Sequence, residues 1–153
     1  MEKTVALIPA AGVGRRMGEI AEINKQYIPL GGRPALALTL KVFQESPLID
    51  QVIPIVRTEE IDYCRQSIVE QYGLDKAARI VAGGPTRGDS VARGLAAITG
   101  EEWDLVVVHD GARPLLTEDV LGGVIQKAKK TGAAIAAVPV KDTIKVAGPG
   151  GVV

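Results

Sequence analysis

The chain has 153 residues, the length of one domain with room for a substantial core. Eighteen basic residues balance eighteen acidic ones, so no global positive field draws in nucleic acid or an anionic membrane. Cys64 is the single cysteine, which excludes an internal disulfide and a zinc framework, and no apolar run reaches membrane-spanning length.

In chain order, Val5 to Pro9 reads as the first strand, an apolar run that stops at a turn holding Gly12 and Gly14. Helical periodicity follows over Pro34 to Ser46, then a strand over Gln51 to Val56 and a helix over Glu59 to Tyr72. Ala78 to Ala82 and Asp104 to His109 read as strands, separated by a helix over Thr86 to Thr99. Leu105 to Val108 is apolar at every position, which predicts a strand buried on both faces of a parallel sheet. A helix is predicted over Glu118 to Thr131, with Thr117 as its cap and acids in the first turn, and a fifth strand over Ala133 to Pro139. Asp142 to Val146 is strand-like and runs into Gly148-Pro149-Gly150-Gly151, as the first half of a hairpin would. Strand-helix alternation of this kind predicts a three-layer α/β/α domain with a largely parallel sheet.

In an open α/β sheet, ligands gather beyond the carboxyl ends of the strands. Three segments emerge there, Pro9 to Met17, Ala82 to Ser90 and His109 to Pro114. Gly12 and Gly14 permit close ligand approach, while Arg15 and Arg16 supply donors for phosphate oxygens. The dinucleotide fingerprint needs a third glycine where Met17 stands, and the Gly-Lys-Ser/Thr ending of a P-loop is absent, so an NAD-binding domain is disfavoured. Arg15 is read as either a phosphate contact or a solvated charge. His109, ending a predicted buried strand, reads as structural rather than catalytic, and Cys64 and Trp103 read as packing residues. Asp110 is the exception, because a carboxylate ending an apolar strand is costly unless it meets solvent, a metal or a ligand.

Four ordered motifs carry a more specific signal. They are Pro9-Ala10-Ala11-Gly12-x-Gly14-x-Arg16-Met17 with Asn24-Lys25-Gln26-Tyr27; Gly83-Gly84-x-x-Arg87-x-Asp89-Ser90-Val91; His109-Asp110-Gly111-Ala112-Arg113-Pro114; and Pro139-Val140-Lys141-Asp142-Thr143-Ile144-Lys145. Together they resemble the cytidylyltransferases of the non-mevalonate isoprenoid pathway, which act on 2-C-methyl-D-erythritol 4-phosphate. Two departures stand out. Glycine occupies position 111 where the family has alanine, and the Gly18 to Asn24 loop is longer than usual, which would reshape the cover over a triphosphate.

The resemblance implies a Rossmann-like nucleotidyltransferase domain over residues 1–140 and the beginning of a dimerisation β-arm over residues 141–153. It implies transfer of CMP from CTP to methylerythritol phosphate, with Mg²⁺ or another divalent cation accompanying CTP. Arg16 and Lys25 would stabilise the transition state. Pro9, Ala10, Ala11, Gly12, Gly14, Arg15, Gly83, Gly84, Asp89 and Ser90 would bind the nucleotide, with backbone groups of Ala10, Ala11 and Gly83 reading the base edge. Asp110, Arg113 and Thr143 would face the acceptor or ribose, with Asp110 near the metal. Family chains extend beyond a C-terminus like this one, through an arm that embraces a second subunit and a segment that positions the acceptor. A homodimer with no nucleic-acid or membrane partner, working in the cytoplasm, is therefore expected of the full-length protein. A ribitol 5-phosphate cytidylyltransferase and a non-catalytic CTP-binding fragment are the alternatives.

Overall fold

The structure is a computed structural model, and it describes residues 2–12, 24–146 and 148. Four parallel strands form the main sheet in the order β5-β4-β1-β6: β1 (Thr4–Pro9), β4 (Gln51–Val56), β5 (Val81–Ala82) and β6 (Leu105–Val108). A two-stranded antiparallel ribbon, β2 (Pro29–Leu30) and β3 (Arg33–Pro34), precedes the first helix. The helices are α1 (Ala35–Glu45), α2 (Ile61–Cys64), α3 (Arg87–Ala97) and α4 (Glu118–Thr131).

Strand β1 shows why the domain has layers. Its alternating side chains enter two different cores: Ala6 and Ile8 join a cluster with Leu36, Leu40, Phe43, Leu121 and Ile125, while Val5 and Leu7 join Ile53, Ile55 and Ile98. All four β1 side chains have no exposed surface. Fully burying aliphatic side chains of this size contributes roughly 1.5–3 kcal/mol each for the larger ones, which fixes β1 at the centre. Helices α1 and α4 cover one face, and α3 lies across β1, β4 and β5 on the other.

Sequence expectations fail at β6 and in the chain after α4. Strand β6 is not buried on both faces: Leu105 and Val107 pack on the larger core, but Val106 and Val108 are 39% and 41% exposed. The physical reason is coverage, since α3 spans the other three strands rather than β6. Nor do Ala133 to Pro139 form a strand. They run as exposed chain, with Ile135 at 87% and Val138 at 86%, because an apolar run becomes a strand only where a neighbour completes its ladder and no described strand does so. Asp142 to Val146 is likewise exposed and without strand pairing among the described residues.

Other boundaries move less. The third predicted strand contracts to β5, and the helix predicted from Pro34 begins at Ala35, with Pro34 extended at the end of β3. Ala35 N–H donates to the Ile28 carbonyl at 3.0 Å, so the chain before the ribbon caps this helix. The predicted Glu59 to Tyr72 helix is helical but composite: a 3₁₀ turn over Thr58–Glu60, then α2, then a wider π-type turn over Arg65–Glu70. Helix α4 matches its predicted span, with the Thr117 side chain accepting from Val120 N–H and Gly132 closing the C-terminus at φ 84°.

Candidate active site

The carboxyl ends of β1, β5 and β6 lie on one edge of the sheet, and their loops start from pinned backbone. Ala10 N–H donates to Ile55 O at 2.7 Å, Gly83 N–H to Val56 O at 2.7 Å, and Gly111 N–H to Pro9 O at 3.0 Å. The first and second loops close on one another. A Cβ on Gly83 would lie 2.5 Å from the Ala11 Cβ and 2.9 Å from the Ser90 Oγ, so only glycine permits this approach. Gly84 is equally constrained, since a Cβ there would stand 2.4 Å from the Asp89 Cβ.

Helix α3 begins at this edge through a capping box. Asp89 N–H donates to Thr86 Oγ1 at 3.1 Å, while the Asp89 carboxylate accepts from Thr86 N–H at 3.1 Å. Ser90, 2% exposed, spends its hydroxyl locally, accepting from Gly84 N–H at 3.1 Å and donating to Thr86 O at 3.0 Å. Arg93 donates to the Gly83 carbonyl at 2.8 Å. Both the Ala10 and Gly83 N–H groups serve the sheet, so any backbone reading of a base by these two residues falls to their carbonyl oxygens, of which that of Gly83 already accepts from Arg93. The Ser90 hydroxyl shapes the loop.

Asp110, two residues beyond β6, lies between two guanidinium groups. Arg87 Nε donates to Oδ1 at 2.8 Å and Arg113 Nε to Oδ2 at 3.0 Å. Burial pushes the Asp110 carboxyl up, but the two arginines outweigh it and hold the group below its usual range. What makes this carboxylate tolerable is thus a pair of arginines, of which Arg87 had no assigned role in the sequence reading. Beside it, the His109 ring packs on Phe43 with centroids 5.4 Å apart, and burial lowers the imidazole pKa. That fits its structural reading. Cys64 is fully buried and its thiol is pushed up to about 12, chiefly by desolvation; Trp103 packs partly buried against the smaller core.

A divalent cation held at a nucleotide takes one or two carboxylates plus phosphate oxygens. Among the described residues no group of three or more His, Cys, Asp or Glu could hold a metal, and each Asp110 oxygen is already engaged by arginine. One carboxylate with phosphate oxygens is enough for such an ion, so Asp110 could serve it by giving up one of its exposed arginine partners.

Lys25 stands exposed on a 3₁₀ turn, Lys25–Tyr27, whose other two residues are buried. Their anchor is Glu60, which sequence reasoning missed: it lies 36 residues beyond Asn24, and no local pattern couples them. Gly14, Arg15 and Arg16 lie outside the described residues. Thr143 sits on exposed chain after α4, and no hydrogen bond among the described residues brings it to Asp110.

The family model described as "IspD: 2-C-methyl-D-erythritol 4-phosphate cytidylyltransferase" matches residues 4–153. The 2-C-methyl-D-erythritol 4-phosphate cytidylyltransferase of Geobacter metallireducens is 51% identical over 143 residues, covering 92% of this chain and 61% of the relative. That of Alkaliphilus oremlandii is 48% identical over 146 residues, covering 95% and 61%. The crystal structure of 4-diphosphocytidyl-2C-methyl-D-erythritol synthase from Anaerococcus prevotii superposes with a TM-score of 0.81 at 32% identity, covering 98% of this chain and 62% of that one. The chain spans about three-fifths of the length of the curated relatives it matches.

Proposed function

Because the chain belongs to the 2-C-methyl-D-erythritol 4-phosphate cytidylyltransferase family, we propose that the protein carrying it transfers CMP from CTP to 2-C-methyl-D-erythritol 4-phosphate. A phosphate oxygen of the acceptor attacks the α-phosphorus of CTP, the bond to the β-phosphate oxygen breaks, and diphosphate leaves. No protein nucleophile is required, since the acceptor phosphate already is one. The observation that carries this reading is the contact of Ala11 with Gly83, which seats the first two motifs against each other at the sheet edge where nucleotides bind.

In this reading, the pyrimidine lies along the edge formed by the carbonyls and apolar surfaces of Ala10, Ala11, Gly83 and Gly84, while Asp89 and Ser90 hold that edge through the α3 cap. Negative charge that grows on the α-phosphate oxygens is met by Lys25 and by Arg16, with Gly12, Gly14 and Arg15 around the triphosphate. Arg113, oriented by Asp110, faces the acceptor phosphate, and Thr143 joins it in the full-length protein. A divalent cation would offset triphosphate charge, with Asp110 near it as the carboxylate that would help to hold it. The name shared by the relatives leaves the ribitol 5-phosphate alternative without support. A homodimer held partly by the segment after Lys141 and a cytoplasmic location complete the proposal; no helix among the described residues is long and apolar enough to cross a membrane.

The test is steady-state diphosphate release by the full-length protein, with CTP and methylerythritol phosphate varied separately. Lys25→Ala should lower kcat by roughly 10²–10³, the usual cost of losing one preorganised transition-state donor, and leave the KM for CTP nearly unchanged. Lys25→Arg should restore only part, since a planar fork does not reproduce a compact ammonium. Wild-type kcat with lost CTP affinity in Lys25→Ala would make the lysine a ground-state clamp. CTP binding without transfer by the unsubstituted protein would leave a nucleotide-binding protein in place of an enzyme.

A further inference from the structure

Glu60 is 6% exposed, and a carboxylate buried this far is costly unless its oxygens are fully engaged. Among the described residues, six donors engage them. Arg57 Nε and Nη2 reach Oε1 at 2.9 and 2.7 Å, and Arg57 N–H donates to Oε2 at 3.4 Å. The remaining donors all come from one distant segment: the Asn24 amide donates to Oε1, the Gln26 amide to Oε2 at 3.4 Å, and the Tyr27 hydroxyl to Oε2 at 3.2 Å.

The arrangement has a direction. Arg57 follows directly on β4, so the Glu60–Arg57 pair is fixed to the sheet. Asn24, Gln26 and Tyr27 flank Lys25 on both sides, and Tyr27 N–H donates to Asn24 O at 2.8 Å to close the turn. The Tyr27 ring is further held edge-on by Tyr63, with centroids 4.9 Å apart. Three neighbours are drawn inward and Lys25 alone remains exposed, so the carboxylate sets the height and heading of the lysine's backbone relative to β4.

We propose that Glu60 is a positioning residue for Lys25: it has no substrate contact of its own, and it locks the Asn24–Tyr27 turn to the end of β4 so that the ammonium is presented at the α-phosphate. The inference rests on the transferase reading given above. Burial of a multiply bonded charge is weak evidence for stability as such, since apolar replacements are often neutral; specifying one arrangement is the role that remains.

Glu60→Gln keeps the shape, removes the charge and turns one acceptor oxygen into a donor facing other donors. In the full-length enzyme we expect kcat for CMP transfer to fall by about 10–100-fold, the scale of a displaced catalytic group, with the KM for CTP changing by less than about threefold. In the Lys25→Ala background the same substitution should cost almost nothing more, because a residue acting only through Lys25 has nothing left to position. Amide exchange should quicken at Gln26, Tyr27 and Ile28 and stay unchanged elsewhere. Should Glu60→Gln fail to fold, Tyr27→Phe removes one anchor while keeping the ring, and should show a smaller kcat loss that also vanishes without Lys25. Undiminished kcat, a loss that multiplies with that of Lys25→Ala, or exchange accelerated across the whole domain would each overturn the inference alone. Absence of transfer by the unsubstituted enzyme would overturn the function reading and the inference together.

Discussion

Arg87, the first residue of α3, donates through Nε to the Asp110 carboxylate just beyond β6, 2.8 Å away. A cation in the first helical turn opposes the helix dipole by roughly 0.3–1 kcal/mol, so α3 alone gives no reason for an arginine there. The pair ties the second sequence motif to the third across the sheet edge. Because the Arg87 side chain is 61% exposed, its net worth to folding is small. Arg87→Ala should therefore change unfolding free energy by less than about 1 kcal/mol in urea melts, with the lost pair partly offset by relief of the dipole. Asp110→Ala leaves Arg87 and Arg113 facing each other without a counter-charge and should cost more. An Arg87→Ala loss well above that of Asp110→Ala would contradict the geometry.

Gly83→Ala tests the closure of the first two loops. Its new methyl group would meet the Ala11 Cβ at 2.5 Å, and that atom cannot rotate away from its own backbone. Relief requires the loop after β1 to shift. Overpacking of this kind costs about 1–3 kcal/mol of stability, and CTP affinity measured by titration should fall with it. Unchanged melting and unchanged CTP binding would mean that the loops are not in register contact.

Nucleotide preference follows from the same closure. Ala11 and Gly83 leave no room for a base between them, so in the proposed function the base lies along the edge that Ala10, Ala11, Gly83 and Gly84 share, and CTP should bind well ahead of ATP and GTP in parallel titrations with Mg²⁺. Equal binding of ATP would end the argument for a pyrimidine at this edge.

His109 gives a pH dependence of known sign. It is the sole histidine, and burial holds its folded pKa below the ordinary 6.5. Asp110 acts in the opposite sense and Arg113 reinforces the lowering, both by less than burial does. The unfolded chain therefore takes up a proton near pH 6.5 that the folded chain accepts only in more acid solution. Stability is full above that pH and is lost as pH falls below it, until the folded imidazole titrates too. Thermal melts between pH 7.5 and 5.5 should show this loss, and His109→Asn should remove most of it while lowering stability at every pH. A slope unchanged by the substitution would assign the effect to other groups.

Features that local chemistry dictates were legible from the residues alone. The alternation of apolar strands and amphipathic helices marked the α/β class, because the two periodicities follow from backbone geometry alone. Thr117 and the acids after it marked the start of α4, since a cap needs only its own neighbours. The motif loops at the ends of β1, β5 and β6 were legible for the same reason, as short runs with special backbone needs. Features that depend on distant partners emerged only in the folded chain. Whether Leu105 to Val108 is covered on one face or two depends on where α3 lies, and whether Ala133 to Pro139 becomes a strand depends on a neighbour to pair with. That Asp110 is balanced by Arg87, and that Glu60 gathers Asn24, Gln26 and Tyr27, could not be read from spacing, because a buried charge is satisfied in space and chain separation carries no trace of the pairing.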